Sequence, residues 1–202
     1  MRRLLRRIGT GALAGVLAVA LATPLAAAAP PEDAVGDVAP AKGDLVSATY
    51  QARFTDILLT GFKPRVTTRQ GSNPLTSAGW RSPGAGLRIL IDTDPGHTGP
   101  ERSVLLHTVA AEAGEGAPVF VADVVDRSGE VPAPVPCGAV PTFTPPNVYK
   151  VNLPAECLPV DAVSVRARFV MRWDPPPVGG PVSVDRSPDL GWGPTLVAPP
   201  AP

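Results

Sequence analysis

The sequence predicts an all-β protein, an antiparallel β-sandwich of immunoglobulin-like or jelly-roll type with one disulfide bond. Apolar and polar side chains alternate along several short segments, as in Val46, Ala48 and Tyr50 against Ser47 and Thr49. Glycines and prolines recur between these segments, and no window has the period of a long amphipathic helix. The half-polar segments indicate antiparallel sheets, which commonly keep one face in water.

The first 28 residues are predicted to be an export signal. Four arginines among the first seven residues precede an apolar run at 8–25, and alanines at 26–29 supply small residues for cleavage. Because Pro30 would be a poor residue directly after the cut, we expect cleavage after Ala28. The predicted signal therefore indicates a secreted protein. The alternative is an uncleaved membrane anchor, since the apolar run is nearly long enough to span a bilayer.

The mature chain of 174 residues is predicted to be acidic. Four of the 18 basic residues lie in the signal, so 14 remain against 18 acidic residues, a net charge of −4. No basic cluster remains, and neither nucleic acid nor an anionic membrane surface is expected as a partner.

The domain order is an extended lead-in at 29–43, the sandwich at 44–174, and a proline-rich tail at 175–202 that docks in part. The tail holds nine prolines and four glycines, too many for a helix or a central strand. A second strand region is expected to break at Pro64. The predicted strands are 45–54, 57–62 with 65–69, 87–92, 103–111, 118–126, 148–153 and 162–173.

The two cysteines are predicted to form a disulfide. Cys137 and Cys157 are the only cysteines, and a pair in an exported protein meets oxidising surroundings. Neither has a nearby His or CxxC spacing, so a metal or redox pair is not favoured. A turn at 154–159 would then tie a crossing loop to the sheet.

Four segments carry a family resemblance: EDAVGD at 32–37, LRILIDTD at 87–94, VNLPAECLP at 151–159 and VDRSPDLGW at 184–192. In this order they resemble secreted actinobacterial β-sandwich domains that are distantly similar to the CBM9-like/DOMON-like group. That group holds carbohydrate-binding and haem-binding domains. The resemblance therefore implies the sandwich fold more strongly than any activity.

No catalytic residue is predicted. The only histidines are His97, in a Gly/Pro-rich loop, and His107, in a strand, and no G-x-S-x-G is present. A glycosidase would need two carboxylates facing one cleft, a spacing that the sequence does not give. An enzyme is therefore less favoured, and a secreted hydrolase stays open as an alternative.

No cofactor is predicted, and structural Ca²⁺ bound by acidic loop residues is the alternative. Asp33 and Asp37 precede the first strand, while Asp92, Asp94 and Glu101 flank a loop. Calcium takes six to eight oxygen ligands, which carboxylates on loops can supply. Asp is also the ordinary turn residue, so solvated turns are the default.

Three tryptophans are the candidate ligand-binding residues. Trp80, Trp173 and Trp192 stand in loops or at strand ends, where exposed rings can stack on sugar faces. The favoured alternative is structural: Trp173 caps the core and Trp192 pins the tail against the sandwich. We expect a non-catalytic binding or accessory module, with glycan or cell wall as the partner. A structural envelope protein without a small ligand is the third hypothesis.

Overall fold

Two antiparallel sheets pack face to face around one core. The computed structural model describes residues 42–110, 116–173 and 182–200, together with the backbone of a short strand at 25–27. In chain order the strands are β1 (Leu25–Ala27), β2 (Leu45–Thr55), β3 (Leu58–Thr68), β4 (Gly86–Asp92), β5 (Arg102–Val109), β6 (Val119–Asp126), β7 (Ala133–Pro134), β8 (Val140–Thr144), β9 (Val148–Pro154), β10 (Ser164–Trp173), β11 (Ser183–Ser187) and β12 (Leu196–Val197). Short 3-10 helices span Ala78–Arg81 and Ala155–Cys157.

The strands form two layers, and most neighbouring strands within a layer are consecutive in the chain. The first sheet runs β1-β2-β3-β9-β8 and the second runs β11-β10-β4-β5-β6-β7, with β12 also paired to β10. All of these pairings are antiparallel. The predicted all-β sandwich is therefore confirmed.

Alternation along each strand supplies the core. Tyr50 and Phe62 from the first sheet lie with ring centroids 5.4 Å apart, and Tyr50 is 6.1 Å from Phe169 of the second sheet. All three side chains are buried. Rings that meet across the two layers bury large apolar areas, which is the dominant stabilising contribution in such a core.

The predicted break at Pro64 is wrong, because β3 runs straight through it. Pro64 is paired in register with Tyr50 of β2. On the other side, the register with β9 joins Phe62 to Leu153 and resumes only at Arg65 and Lys150. Proline lacks an N–H and removes one ladder hydrogen bond. The interruption therefore falls on the β9 side alone, and the strand continues.

The predicted disulfide is confirmed, and it lies where the chain crosses between sheets. Cys137 follows β7 of the second sheet and precedes β8 of the first. It bonds to Cys157 in the 3-10 turn after β9, with a Cα–Cα distance of 5.3 Å. Cys157 is fully buried. The bond fixes the crossing segment to the end of the first sheet.

The C-terminal segment predicted as a tail contributes to the second sheet. Strand β11 pairs with β10 over five residues, and β12 pairs with Ser164 and Val165 at the other end of β10. Between them, the Gly193 N–H donates to the Ala167 carbonyl at 2.9 Å. Since β11 is an edge strand, a proline-rich segment can supply it. The sandwich thus extends beyond residue 174.

Only the end of the predicted export signal falls within the described residues. There β1 pairs with Gln51–Arg53 of β2. The remainder of the signal, most of the lead-in, Asp33 and Asp37 lie outside the described residues. Within the described ranges, no helix has the length and apolar character needed to cross a membrane.

Candidate functional site

Two of the three candidate tryptophans belong to the core. Trp80 and Trp173 are 1 % and 2 % exposed, and their rings meet edge to face at 6.0 Å. The Trp80 indole N–H donates to the Ser72 carbonyl at 3.1 Å, so its polar atom is also satisfied. Neither ring has a face open to stack on a sugar. The sugar-stacking hypothesis is therefore wrong for these two residues.

Trp192 lies at the surface but is partly covered. The Arg166 guanidinium carbon is 5.2 Å from its ring centroid, a cation–π contact. Arg166 also donates from Nε and Nη2 to Asp92 Oδ2, at 2.8 and 2.6 Å. The ring therefore holds the C-terminal segment against the second sheet.

The predicted calcium ligands have other partners. Asp92 is buried and ion-paired with Arg166. Asp94 is exposed and accepts the Gly96 N–H at 2.9 Å, an ordinary Asx turn. The two carboxylates that flank the loop therefore have separate roles.

The Glu101 side chain contacts two other residues of the same loop. Its Oε2 accepts the Thr93 N–H at 2.8 Å, and its Oε1 lies 3.5 Å from His97 Nδ1. Across the described ranges, no three His, Cys, Asp or Glu residues gather in a metal-binding arrangement.

The second histidine makes a surface pair. His107 Nε2 lies 2.7 Å from Asp123 Oδ2, on neighbouring strands of the second sheet. Asp123 is well exposed, with 62 % of its side chain accessible. A solvent-exposed pair of this kind contributes little to stability.

A cleft of about 800 Å³ lies on the outer face of the first sheet. We call it the sheet-one cleft and define it by residues 49–51 of β2, 63–65 of β3, 140 and 142 of β8, and 150–152 of β9. A recess of about 200 Å³ adjoins it and adds Arg53. Its position follows from the alternation that buries Tyr50 and Phe62, because the intervening residues must point outward.

Neutral polar side chains cross the cleft in rows. Thr49 lies opposite Arg65, and Thr142 lies opposite Lys150. Gln51 and Asn152 are exposed on their strands. Hydroxyl and amide groups can each donate and accept hydrogen bonds. The floor can therefore bind a ligand that is rich in hydroxyl groups.

Positive charge is concentrated in the same cleft. Arg65 and Lys150 are direct cross-strand partners, so their side chains share one face. Like charges directly opposite each other destabilise a sheet. Lys63 lies two residues from Arg65 on the same strand and the same face. Among the described residues, none of these three cations forms an ion pair.

The lining of the cleft has no carboxylate, imidazole or thiol among the described residues. Acid–base and nucleophilic catalysis most often use these groups. The arrangement suits binding by hydrogen bonds and charge.

This basic cluster was not predicted from the sequence, although the alternation that places its side chains on one face was. The basic residues stand on three strands, and they appear as isolated residues along the chain. The fold brings them together, because antiparallel pairing aligns the polar faces of β2, β3 and β9. Lys63 falls in the predicted break at Pro64, and nothing in the sequence indicates that Arg65 faces Lys150.

Compared with protein-family models, curated proteins and solved structures, the chain matches none of them.

Proposed function

We propose that the protein is a secreted, non-catalytic module that binds a glycan, such as a cell-wall polysaccharide, in the sheet-one cleft. The observation that carries this proposal is the cleft itself. Its volume of about 800 Å³ falls in the range of pockets that hold small ligands and short polymer segments. Its floor is an ordered sheet, so binding does not require the site to fold first.

The chemistry of the floor supports a sugar ligand. Thr49, Gln51, Thr142 and Asn152 offer hydroxyl and amide groups on three strands of the cleft floor, β2, β8 and β9. Rows of this kind can satisfy sugar hydroxyls with paired donors and acceptors. An open cleft also lets a long chain enter from either end. The distant resemblance to the CBM9-like/DOMON-like group agrees with a binding role.

Non-catalytic binding accounts for the lining better than hydrolysis does. A glycosidase needs an acid and a second carboxylate on either side of the bond that is cleaved. The described lining contains no such pair. We therefore rank binding above the secreted hydrolase and above a structural envelope role.

A pull-down tests the proposal directly. The exported protein, with its N terminus read by mass spectrometry, is mixed with insoluble polysaccharides and with isolated bacterial cell walls. We expect retention on at least one matrix. The double substitution Gln51→Ala, Asn152→Ala should reduce retention several-fold.

Gln70→Ala serves as the matched control, because Gln70 is exposed outside the cleft lining. Its retention should equal that of the unchanged protein. No retention on any matrix would overturn the proposal. Retention that the cleft substitutions leave intact would also overturn it, because binding would then use another surface.

A further inference from the structure

We propose that the ligand of the sheet-one cleft is an acidic polysaccharide, a glycan polymer that carries carboxylate or phosphodiester groups. This inference rests on the proposed function and specifies the substrate class of the same site. It follows from the distribution of charge on the cleft floor.

The pairing of Arg65 with Lys150 is the first argument. These residues are direct partners on β3 and β9, and no acidic side chain lines the cleft among the described residues. A sheet gains stability when opposite charges face each other and loses it when like charges do. An anionic ligand would remove the repulsion by placing negative charge between the two cations.

The spread of the cations is the second argument. Lys63 lies two residues from Arg65, which is about 7 Å along a strand. Arg53 is two residues from Gln51, the cross-strand partner of Lys63, and it lines the adjoining recess. The positive charge therefore extends along the cleft and is not confined to one point. This arrangement fits a polymer with repeated negative groups better than one small anion.

The contrast with the rest of the molecule is the third argument. The predicted mature chain has a net charge of −4, but the described lining of the cleft and its recess carries four cations and no anion. A face of opposite sign to the net charge orients an approaching anionic chain toward that face. Arginine also binds carboxylate and phosphate through two parallel hydrogen bonds, which adds specificity at Arg53 and Arg65.

A glycan is favoured over single-stranded nucleic acid, the other common polyanion. Proteins that bind single strands stack bases on exposed aromatic rings. The one aromatic residue in the described lining, Tyr50, is 1 % exposed and packs on Phe62 and Phe169. The exposed neutral residues are Thr, Gln and Asn, which suit hydroxyl groups.

Charge reversal in the cleft provides the test. The variants are Lys63→Glu and Lys150→Glu in the exported protein. The control is the double variant Arg88→Glu, Arg186→Glu. These two exposed arginines lie on β4 and β11 of the second sheet, so the control changes charge without touching the cleft. Titration calorimetry uses polygalacturonate for carboxylates, poly(glycerol phosphate) for phosphodiesters, dextran as the neutral glycan, and a thymidine 20-mer.

We expect binding to at least one acidic polymer, at least tenfold tighter than to dextran, with affinity that falls as salt is raised. Each cleft variant should weaken it tenfold or more, and the control should change it less than twofold. The acidic polymer that binds more tightly shows whether the cleft prefers carboxylate or phosphodiester groups.

The outcomes separate the two proposals. Binding to dextran as tight as to the acidic polymers, unchanged by Lys63→Glu and Lys150→Glu, would overturn this inference and leave glycan binding intact. Tighter binding to the thymidine 20-mer than to either acidic polymer would overturn it in favour of nucleic acid. Binding to no polymer would overturn this inference, and glycan binding would be overturned as well only if the pull-down also shows no retention.

A stability measurement guards against misfolded variants. Lys150→Glu places a carboxylate opposite Arg65, so it should raise the melting temperature while it weakens binding. A loss of both stability and binding in Lys150→Glu would contradict the charge argument, because the repulsion would then not exist.

Discussion

At the residue scale, the two tyrosines of the chain are buried, unlike a phenol in water. Burial raises the pKa of Tyr50 to about 12, and burial likewise raises the pKa of Tyr149. Both hydroxyls are hydrogen-bonded, Tyr50 to the Pro194 carbonyl and Tyr149 to the Ser72 carbonyl. Each hydroxyl therefore joins a strand of the first sheet to a segment outside that sheet.

The raised pKa values predict a loss of stability at alkaline pH. In the unfolded chain a tyrosine ionises near pH 10. The folded state favours the neutral form of Tyr50 up to about pH 12. Stability from this group is complete below about pH 10 and falls as pH rises through the window to about 12. Absorbance at 295 nm should stay low in native protein at pH 10.5 and rise on unfolding in guanidinium.

Tyr50→Phe is the control, and its unfolding free energy should fall less steeply over the same pH window. Native protein that titrates both tyrosines near pH 10 would contradict the buried positions of these rings.

Single residues are also where the sequence is least informative. The position of Trp80 in a loop suggested an exposed ring, but that loop turns inward and Ser72 accepts its N–H. The role of Asp92 was equally hard to predict, since nothing near it in the sequence identifies Arg166 as its partner. Such contacts join residues that are distant in the chain, so local patterns do not reveal them.

At the element scale, the β2–β3 hairpin contains a strained residue. Asp56 and Ile57 form the two-residue turn, with φ of 49° and 66°. Of the common two-residue hairpin turns, type I′ has positive φ at both central positions, which favours Asp-Gly or Asn-Gly. A β-branched residue such as Ile is costly in this region of φ.

We predict that Ile57→Gly stabilises the protein by about 1 kcal/mol. Ile57 is exposed, so little apolar packing is lost with its side chain. Urea unfolding gives the free energy, and Ile57→Ala is the control because alanine keeps the strain. An equal effect of both substitutions would contradict the left-handed geometry at this turn.

The strands were the most predictable elements where the alternation of apolar and polar residues was long. The alternation from Leu45 onward identified β2, which ends only one residue later than expected. Strand β8, sequence VPTFT, was missed because five residues with a proline carry a weak signal. Strand β11 was missed for the same reason, since it lies between prolines in a segment that resembles a linker.

At the scale of the whole molecule, the disulfide joins the connection between the sheets to the first sheet. Reduction, or the double change Cys137→Ala, Cys157→Ala, should lower the unfolding free energy by about 3 kcal/mol in the chain-entropy model. The Cα–Cα distance of 5.3 Å is ordinary for such a bond. Denaturant unfolding with and without reductant measures the difference. Equal stability of the oxidised and reduced protein would contradict this role.

The fold class was predictable as a whole, while the candidate site was not. Alternation, turns and the cysteine pair each depend on local sequence, and together they indicated a sandwich with one disulfide. The sheet-one cleft depends on register, because Arg65 meets Lys150 only when β3 pairs with β9. Register is a property of the assembled sheet, which is why the chain could contain a basic face that its sequence did not indicate.

The most direct test of ligand binding at this face is a map of the amides that a glycan perturbs. The ¹⁵N-labelled protein is titrated with acidic oligosaccharide and followed by heteronuclear NMR. We predict shifts confined to residues 49–53, 61–65, 140–142 and 150–154, with the second sheet unchanged. Shifts centred on the outer face of the second sheet, or none at saturating ligand, would contradict the account.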